Sequence, residues 1–308
     1  MELRSKKSTY IATYFKSHWQ LYVMVLPALG LLFVFNYIPI YGVILAFKEY
    51  NPNLGVGGSP FVGFTHFKTL FNDSYFFTVL GNTLKISTMR LVFGFPIPII
   101  LALMLNEVRA NWFKRVVQTV SYLPHFISWI IVSGILINIC SIEGGSINQL
   151  IEFFGGKPID FFGNTGAFLS MLIVSGIWKG AGWGTIIYFA AMANINPELY
   201  EAAEMDGANR FQRIRYITMP GLVPAISINL VFACSGFMYA GFDQIFNLYN
   251  AVVYDVADII DTYIFRIGVT DGNYGISTAL GLFNSVVSLV LIIIANKVTK
   301  KLGGDGIW

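Results

Sequence analysis

The chain has little charge, little histidine and almost no cysteine. Only 12% of its 308 residues are Asp, Glu, Lys or Arg, about half the roughly 25% of an ordinary globular domain. The net charge of +3 is too small to suggest nucleic acid as a partner. His18, His66 and His125 lie far apart, as do Cys140 and Cys234, and no Cys-x-x-Cys pair occurs. Neither a disulfide framework nor a zinc site is supported. A phosphate-binding Gly-x-x-x-x-Gly-Lys-Ser/Thr is absent too. Its nearest imitation, Gly155-Gly156-Lys157, has Ile151 in place of the first glycine and Pro158 where a hydroxyl would meet magnesium. No dinucleotide fingerprint, nucleophile elbow, carboxylate pair or metal cluster stands out, so the chain is not expected to be an enzyme. It should bind no cofactor of its own.

What is present is hydrophobic. Apolar types make up 55% of the chain, with 27 Phe and 16 Tyr, and the mean hydropathy is +0.63. Too few polar groups remain to cover a surface in water, so lipid is the expected solvent. Six stretches reach the about 20 apolar residues that cross a bilayer: 20–47, 82–106, 117–140, 165–192, 219–243 and 276–297. The basic start is followed by an apolar run too long for a signal peptide, with no small-residue cleavage pattern, which predicts a retained first span. Residues 9–19 read either as an amphipathic helix on the inner leaflet or as a plain basic anchor.

Basic residues give the direction. With the N-terminus inside, thirteen of the twenty Lys and Arg flank the cytoplasmic ends, four fall in outside loops, and three (Lys85, Arg90, Lys179) lie within spans. The expectation is N-in and C-in. Loops 51–60 and 144–166 read as turns. The stretch 254–271, with Asp255, Asp258, Asp261 and Asp271, predicts a short surface helix. The expected organisation is a cytoplasmic segment 1–19, one transmembrane domain 20–300 and a tail 301–308.

The loop between spans four and five is the most legible segment. Asn196 can cap a helix and Pro197 suits its first turn. Glu198 and Glu201 favour its positive end, and Gly207 supplies a helix-ending residue with positive φ. A second short helix is expected from Ala208 to about Tyr216, with Pro220 and Pro224 punctuating the entry to span five. Leu199, Ala202, Ala203 and Asp206 share one face. Two alanines there would let another backbone approach, so the element is either a knob for a partner's groove or an ordinary hairpin closing a loop.

The residues Glu201-Ala-Ala-Glu-Met-Asp-Gly-Ala208, followed by Phe211, Ile217, Met219-Pro220 and Pro224, resemble the EAA signature of ABC importer permeases, with Met219 where Leu is usual. The likeness extends along nearly the whole chain. His18-Trp-Gln-Leu-Tyr22, Ala46-Phe-Lys-Glu-Tyr-Asn-Pro52, Ser121-Tyr-Leu-Pro-His-Phe-Ile-Ser-Trp129 and Gly306-Ile-Trp308 are similar to the LplB-like oligosaccharide permeases of Gram-positive bacteria. The resemblance implies an all-α membrane protein with six transmembrane helices and the MetI-like fold of type I importers, in a bacterial plasma membrane. It implies a second permease, two cytoplasmic ATPase subunits carrying ATP and Mg, and an extracellular lipid-anchored solute-binding protein that delivers oligosaccharides, uronic-acid-containing ones among them. It makes the loop within 196–220 the coupling helix, with Glu201, Ala202, Ala203, Asp206 and Gly207 meeting the ATPase.

Polar residues inside spans are candidates for the substrate path. Lys179 is flanked by Trp178 and Trp183, with Gly176, Gly180, Gly182 and Gly184 around it. It either faces a cavity beside aromatic platforms, or it snorkels or pairs with Asp243 or Glu198. Lys85 and Arg90 either face the cavity or snorkel outward. Tyr239, Asp243, Gln244, Asn284 and Ser288 either line a path or bond helix to helix. Two rival functions are an ion-driven secondary transporter, which would want internal repeats and several midplane charges, and an intramembrane enzyme.

Overall fold

The computed structural model describes residues 17–301; the 9–19 helix expectation, for the most part, and the Gly306-Ile-Trp308 match fall outside them. The described residues form helices joined by short turns, with one isolated bridge, Lys48 to Phe61, and no strand. Helix α1 spans Trp19–Phe47, α2 Thr65–Asn72, α3 Ser74–Asn106, α4 Asn111–Phe126 and α5 Trp129–Ile139. After α6 (Ser146–Phe153) come α7 (Thr165–Ala193), α8 (Pro197–Met205) and α9 (Arg210–Ser235). Helices α10 (Phe242–Leu248), α11 (Ile260–Phe265) and α12 (Tyr274–Lys301) complete the chain.

Four of these, α1, α3, α9 and α12, are long and apolar enough to cross a membrane unaided. The expected third span differs from a straight helix. Its halves α4 and α5 meet at a 102° bend. Pro124 closes a tight turn over Leu123–Phe126, Ile127 is extended, and Ser128 caps α5 by accepting from the Ile131 N–H. Helix α7 is long enough at 29 residues, but Lys179, the glycines and the two tryptophans lower the apolarity of its middle.

The expected breaks at prolines are corrected. Pro220 interrupts nothing: α9 runs through it. A proline lacks an N–H and its ring collides with the carbonyl four residues back. Three prolines here, Pro39, Pro96 and Pro220, each follow a π-helical turn (Phe33–Tyr37, Arg90–Gly94, Ile214–Thr218). The carbonyl each would strike, on Phe35, Val92 and Tyr216, sits at the centre of that wider turn. The π turn carries the helix past the proline.

Three apolar clusters hold the bundle. One joins α3, α7 and α10 through Ile86, Phe168, Leu172 and Ile245. A second joins the end of α1 to α2, α3, α11 and α12 through Leu70, Phe76, Ile260 and Leu280. The third packs Ala102, Tyr188, Met192 and Leu222 at the Ala193 end of α7. By contrast the most apolar stretch of α1 has no buried residue. A helix hydrophobic all round and uncovered by the other described residues needs an apolar environment such as lipid or another subunit around it.

The 254–271 stretch is not a surface helix. It is a turn of helix at Tyr254–Ala257, then α11, then a π turn. Asp258 is fully buried and ion-paired with Arg266. Its carboxylate also accepts from the Tyr75 hydroxyl at 2.6 Å and from Thr262 at 2.7 Å. The Arg266 guanidinium lies over the Tyr75, Tyr254 and Tyr263 rings at 5.9, 5.0 and 5.4 Å. This network ties the segment to the start of α3.

Candidate functional site

Two regions collect the candidates. The first is the hairpin around α8. Asn196 Oδ1 accepts from the Glu198 N–H at 3.1 Å, capping α8 as expected. At the other end Gly207 has φ +77°. Its N–H donates to Glu204 O at 3.1 Å, and Ala208 N–H to Ala203 O at 2.8 Å. That pair of bonds is the Schellman closure of a helix end. The second helix starts at once with a reciprocal cap, Asn209 and Gln212 each accepting from the other's backbone. It does not stop near Tyr216 but continues as α9. Tyr200 bonds Thr218 at 2.9 Å and Glu204 pairs with Arg213 at 3.3 Å, so α8 is fixed against α9. Glu201, Ala202, Asp206 and Gly207 are exposed, Ala203 is half-buried, and Leu199 is 52% exposed. The hairpin presents a face with acidic ends and a small-residue centre that no other described residue fully covers.

The second region surrounds the middle of α7. Lys179 pairs with neither Asp243 nor Glu198. Its ammonium donates to the backbone carbonyls of His125 at 2.7 Å and Pro124 at 3.2 Å, and sits 5.5 Å from the Trp129 ring. It therefore caps the turn at the α4–α5 bend, adding a charged donor to the last carbonyls of α4. One turn on, Trp183 stacks on His125 with centroids 4.5 Å apart and planes 1° from parallel. Gly182 lets α7 touch α4 backbone to backbone, since a Cβ there would overlap the Ser121 carbonyl.

Arg90 does not snorkel. Its guanidinium turns inward and donates a short hydrogen bond to Gln244 Oε1. Gln244 is fully buried, and its amide donates to Leu172 O and Ser175 Oγ, each at 2.9 Å. Between α9 and α10 the chain turns through Ala240 and Gly241 at φ +47° and +84°. Tyr239 donates to Asp243 Oδ2 at 3.0 Å.

Three cavities run in sequence through this region. One of about 600 Å³ is lined by His125, Ser128, Trp129, Lys179, Asp243 and Asn247. It shares Trp129 and Asp243 with a second of about 320 Å³, which adds Ser87, Arg90 and Tyr239. That one shares Phe95 and Ala233 with a third of about 610 Å³, lined by Pro98, Trp183, Tyr188 and Asn229. Of the expected residues, Lys179, Trp183, Arg90, Tyr239 and Asp243 each line at least one of the three. Trp178, Lys85, Asn284 and Ser288 line none of the three. Lys85 and Trp178 point outward and are exposed. Asn284 bonds Asp261 at 3.3 Å, helix to helix. Trp129, His125, Ser87 and Asn247 were not among the expected path residues. The pattern Pro124-His-Phe-Ile-Ser-Trp129 carried the signal: a proline, then a capping serine, marks a broken helix inside an apolar run.

The family described as "Binding-protein-dependent transport system inner membrane component" matches residues 94–304. The chain belongs to this family. It is thus a non-catalytic permease subunit embedded in the membrane. The polygalacturonan/rhamnogalacturonan transport system permease protein YteP of Bacillus subtilis (strain 168) is 43% identical over 288 residues, covering 94% of this chain and 90% of that protein. Protein LplB of the same organism is 43% identical over 303 residues, covering 98% and 95%. Among solved structures, a bacterial ABC transporter involved in the import of the acidic polysaccharide alginate matches with TM-score 0.87 and 41% identity, over 95% of this chain and 99% of that one. The bacterial alginate ABC transporter in complex with an alginate pentasaccharide-bound periplasmic protein matches with TM-score 0.88. The fold of this permease is theirs.

Proposed function

We propose that this permease imports acidic oligosaccharides handed over by an extracellular solute-binding protein, driven by ATP hydrolysed on separate subunits. The observation that carries this reading is full-length likeness, at 43% and 41% identity, to a permease for pectic polymers and to an alginate importer. The cavity series fits such a cargo, with aromatic faces, hydroxyls, carboxamides and two cations, Arg90 and Lys179.

The bundle crosses the membrane six times, with α4–α5 as a bent third span, α7 as the fourth and both termini cytoplasmic. A sister permease covers α1 and completes the pore. The exposed face of α8 docks, through Glu201, Ala202, Ala203, Asp206 and Gly207, into one of two ATPase subunits that hold ATP and Mg. Closure of the ATPases draws the docked hairpins together. Because Tyr200 and the Glu204–Arg213 pair fasten α8 to α9, the movement passes to the core spans, and the cavity opens alternately to each side.

The test is uptake into proteoliposomes holding the assembled complex, with its binding protein and ATP outside and inside as required. ATP-dependent entry of trigalacturonate is expected. Entry of neutral oligosaccharides alone would overturn the acidic cargo, and entry without ATP would overturn the coupling.

A further inference from the structure

We infer that the 320 Å³ middle cavity is a subsite for a single uronate residue, whose carboxylate is taken by Arg90 and whose pyranose ring lies between Trp129 and Asp243. This rests on the acidic-oligosaccharide reading and assigns its recognition to particular residues.

The chain contains its own comparison for what a structural arginine looks like. Arg266 is paired with buried Asp258 and faced by three tyrosine rings. Arg90 has nothing of the kind. Among the described residues the ion pairs are Arg213–Glu204 and Arg266–Asp258, so no carboxylate lies within ion-pair distance of Arg90. A guanidinium has five N–H donors, and the partner seen here is one carboxamide oxygen. Its Nε is buried without a hydrogen-bond partner. A cation taken out of water and left unpaired is costly. Here it is also held still: Gln244 is locked by Leu172 and Ser175, and so fixes the guanidinium it accepts from. Gly241 closes in behind, where any Cβ would overlap the guanidinium. A rigid, half-buried, uncompensated guanidinium on a cavity wall is a carboxylate receptor, because a planar fork matches two carboxylate oxygens.

The rest of the wall distinguishes a uronate from a simple anion. Asp243 lines the same cavity and is held by the Tyr239 hydroxyl rather than by Arg90. It would repel a carboxylate but accepts hydroxyl hydrogens well. The cation and the anion therefore orient a residue that carries an acid group and several hydroxyls. Trp129 offers its face to the ring C–H groups. The volume stands at the small end of the ~300–1,000 Å³ of ligand pockets, which suits one sugar residue of a longer chain.

The test measures binding of labelled trigalacturonate and of its neutral, fully methyl-esterified form to the purified complete complex without binding protein. The wild type should prefer the acid, and Arg90→Gln should lower acid binding at least about tenfold, the size of a lost charge-assisted bond, while leaving the ester unchanged. Retained preference for the acid in Arg90→Gln overturns the assignment, as does equal binding of both by the wild type. Ester binding reports that the variant is folded. A second measurement needs no variant: free galacturonate should compete for the wild-type site at least tenfold better than galactose, and equal competition overturns the proposal. A complex that imports trigalacturonate but fails these tests loses only the subsite. One that imports no acidic oligosaccharide loses the wider reading.

Discussion

Gly207 allows a test in which backbone strain is separated from contact. Its φ is +77° and nothing lies within 4 Å of where a Cβ would be. A side chain there meets open space within this chain, so any intrinsic cost comes from the backbone angle alone. That cost is about 1–2 kcal/mol for an ordinary L-residue in the left-handed region, which shifts the ratio of closed to open helix ends about 5- to 30-fold. Asn tolerates the angle better, a β-branched residue worse. Pro cannot reach it and also loses the N–H bonded to Glu204 O at 3.1 Å. Sugar molecules imported per ATP hydrolysed, in proteoliposomes, should therefore fall in the order Gly, Asn, Ala, Val, Pro. Membrane insertion should not change. If Asn and Val are equally damaging, glycine is needed because a partner surface touches it, and the strain argument fails. Normal transport by Gly207→Pro would refute the coupling role of the hairpin altogether.

Two further outcomes follow from buried polar groups. Lys179→Met should lower the thermal midpoint of the complex, since it removes a charged donor worth about 1.5–3 kcal/mol and leaves the His125 carbonyl without it; an unchanged midpoint would show that Lys179 does not hold the α4–α5 bend. Burial raises the Asp261 carboxyl from 3.8 to about 6, so this group's contribution to stability is full below about pH 4 and declines as pH rises through about 6. Asp261→Asn should flatten that decline and, by offering an amide donor toward the unpartnered Asn284 Oδ1, raise the midpoint at pH 7.5; a variant that melts lower at pH 7.5 sinks this account.

The α8 hairpin was legible because its instructions are local. Asn196, Pro197, Gly207 and the Asn209–Gln212 pair each act on a backbone within about four residues, and each behaves as its chemistry requires. Long apolar helices were legible for the same reason. The α4–α5 bend was less so: Pro124 and Ser128 mark it locally, but the average hydropathy of 117–140 is that of one span, and a 102° turn does not change it. Helix α9 was cut short by reading Pro220 as punctuation, when the turn before it had widened to carry the ring. The acidic stretch 254–271 looked exposed because charge ordinarily is. Its partners, Tyr75 and Asn82, are more than 170 residues away in sequence. Lys179 and Arg90 show the same limit: both were visible as cations inside spans, but only tertiary packing shows that Lys179 caps a bend while the Arg90 guanidinium is left, among the described residues, without a backbone-carbonyl or carboxylate partner.

The irregular backbone supports the location of the path independently of any side chain's charge. Within a bilayer, unbonded N–H and C=O groups are tolerated where protein or a water-filled cavity covers them. Three irregular turns, within or between apolar helices, deliver residues to the middle cavity. Arg90 opens the π turn of α3, Trp129 is the first residue after the α4–α5 bend, and Tyr239 to Gly241 form the break between α9 and α10. Each irregular turn is sequence-encoded, the widened turn of α3 by Pro96, the α4–α5 bend by Pro124 with Ser128, and the α9–α10 break by Gly236 with Gly241. Had these breaks served only to bend helices around one another, they would have no reason to meet at one cavity. Their convergence at one cavity supports the proposal that the cargo passes there, where exposed backbone finds polar company.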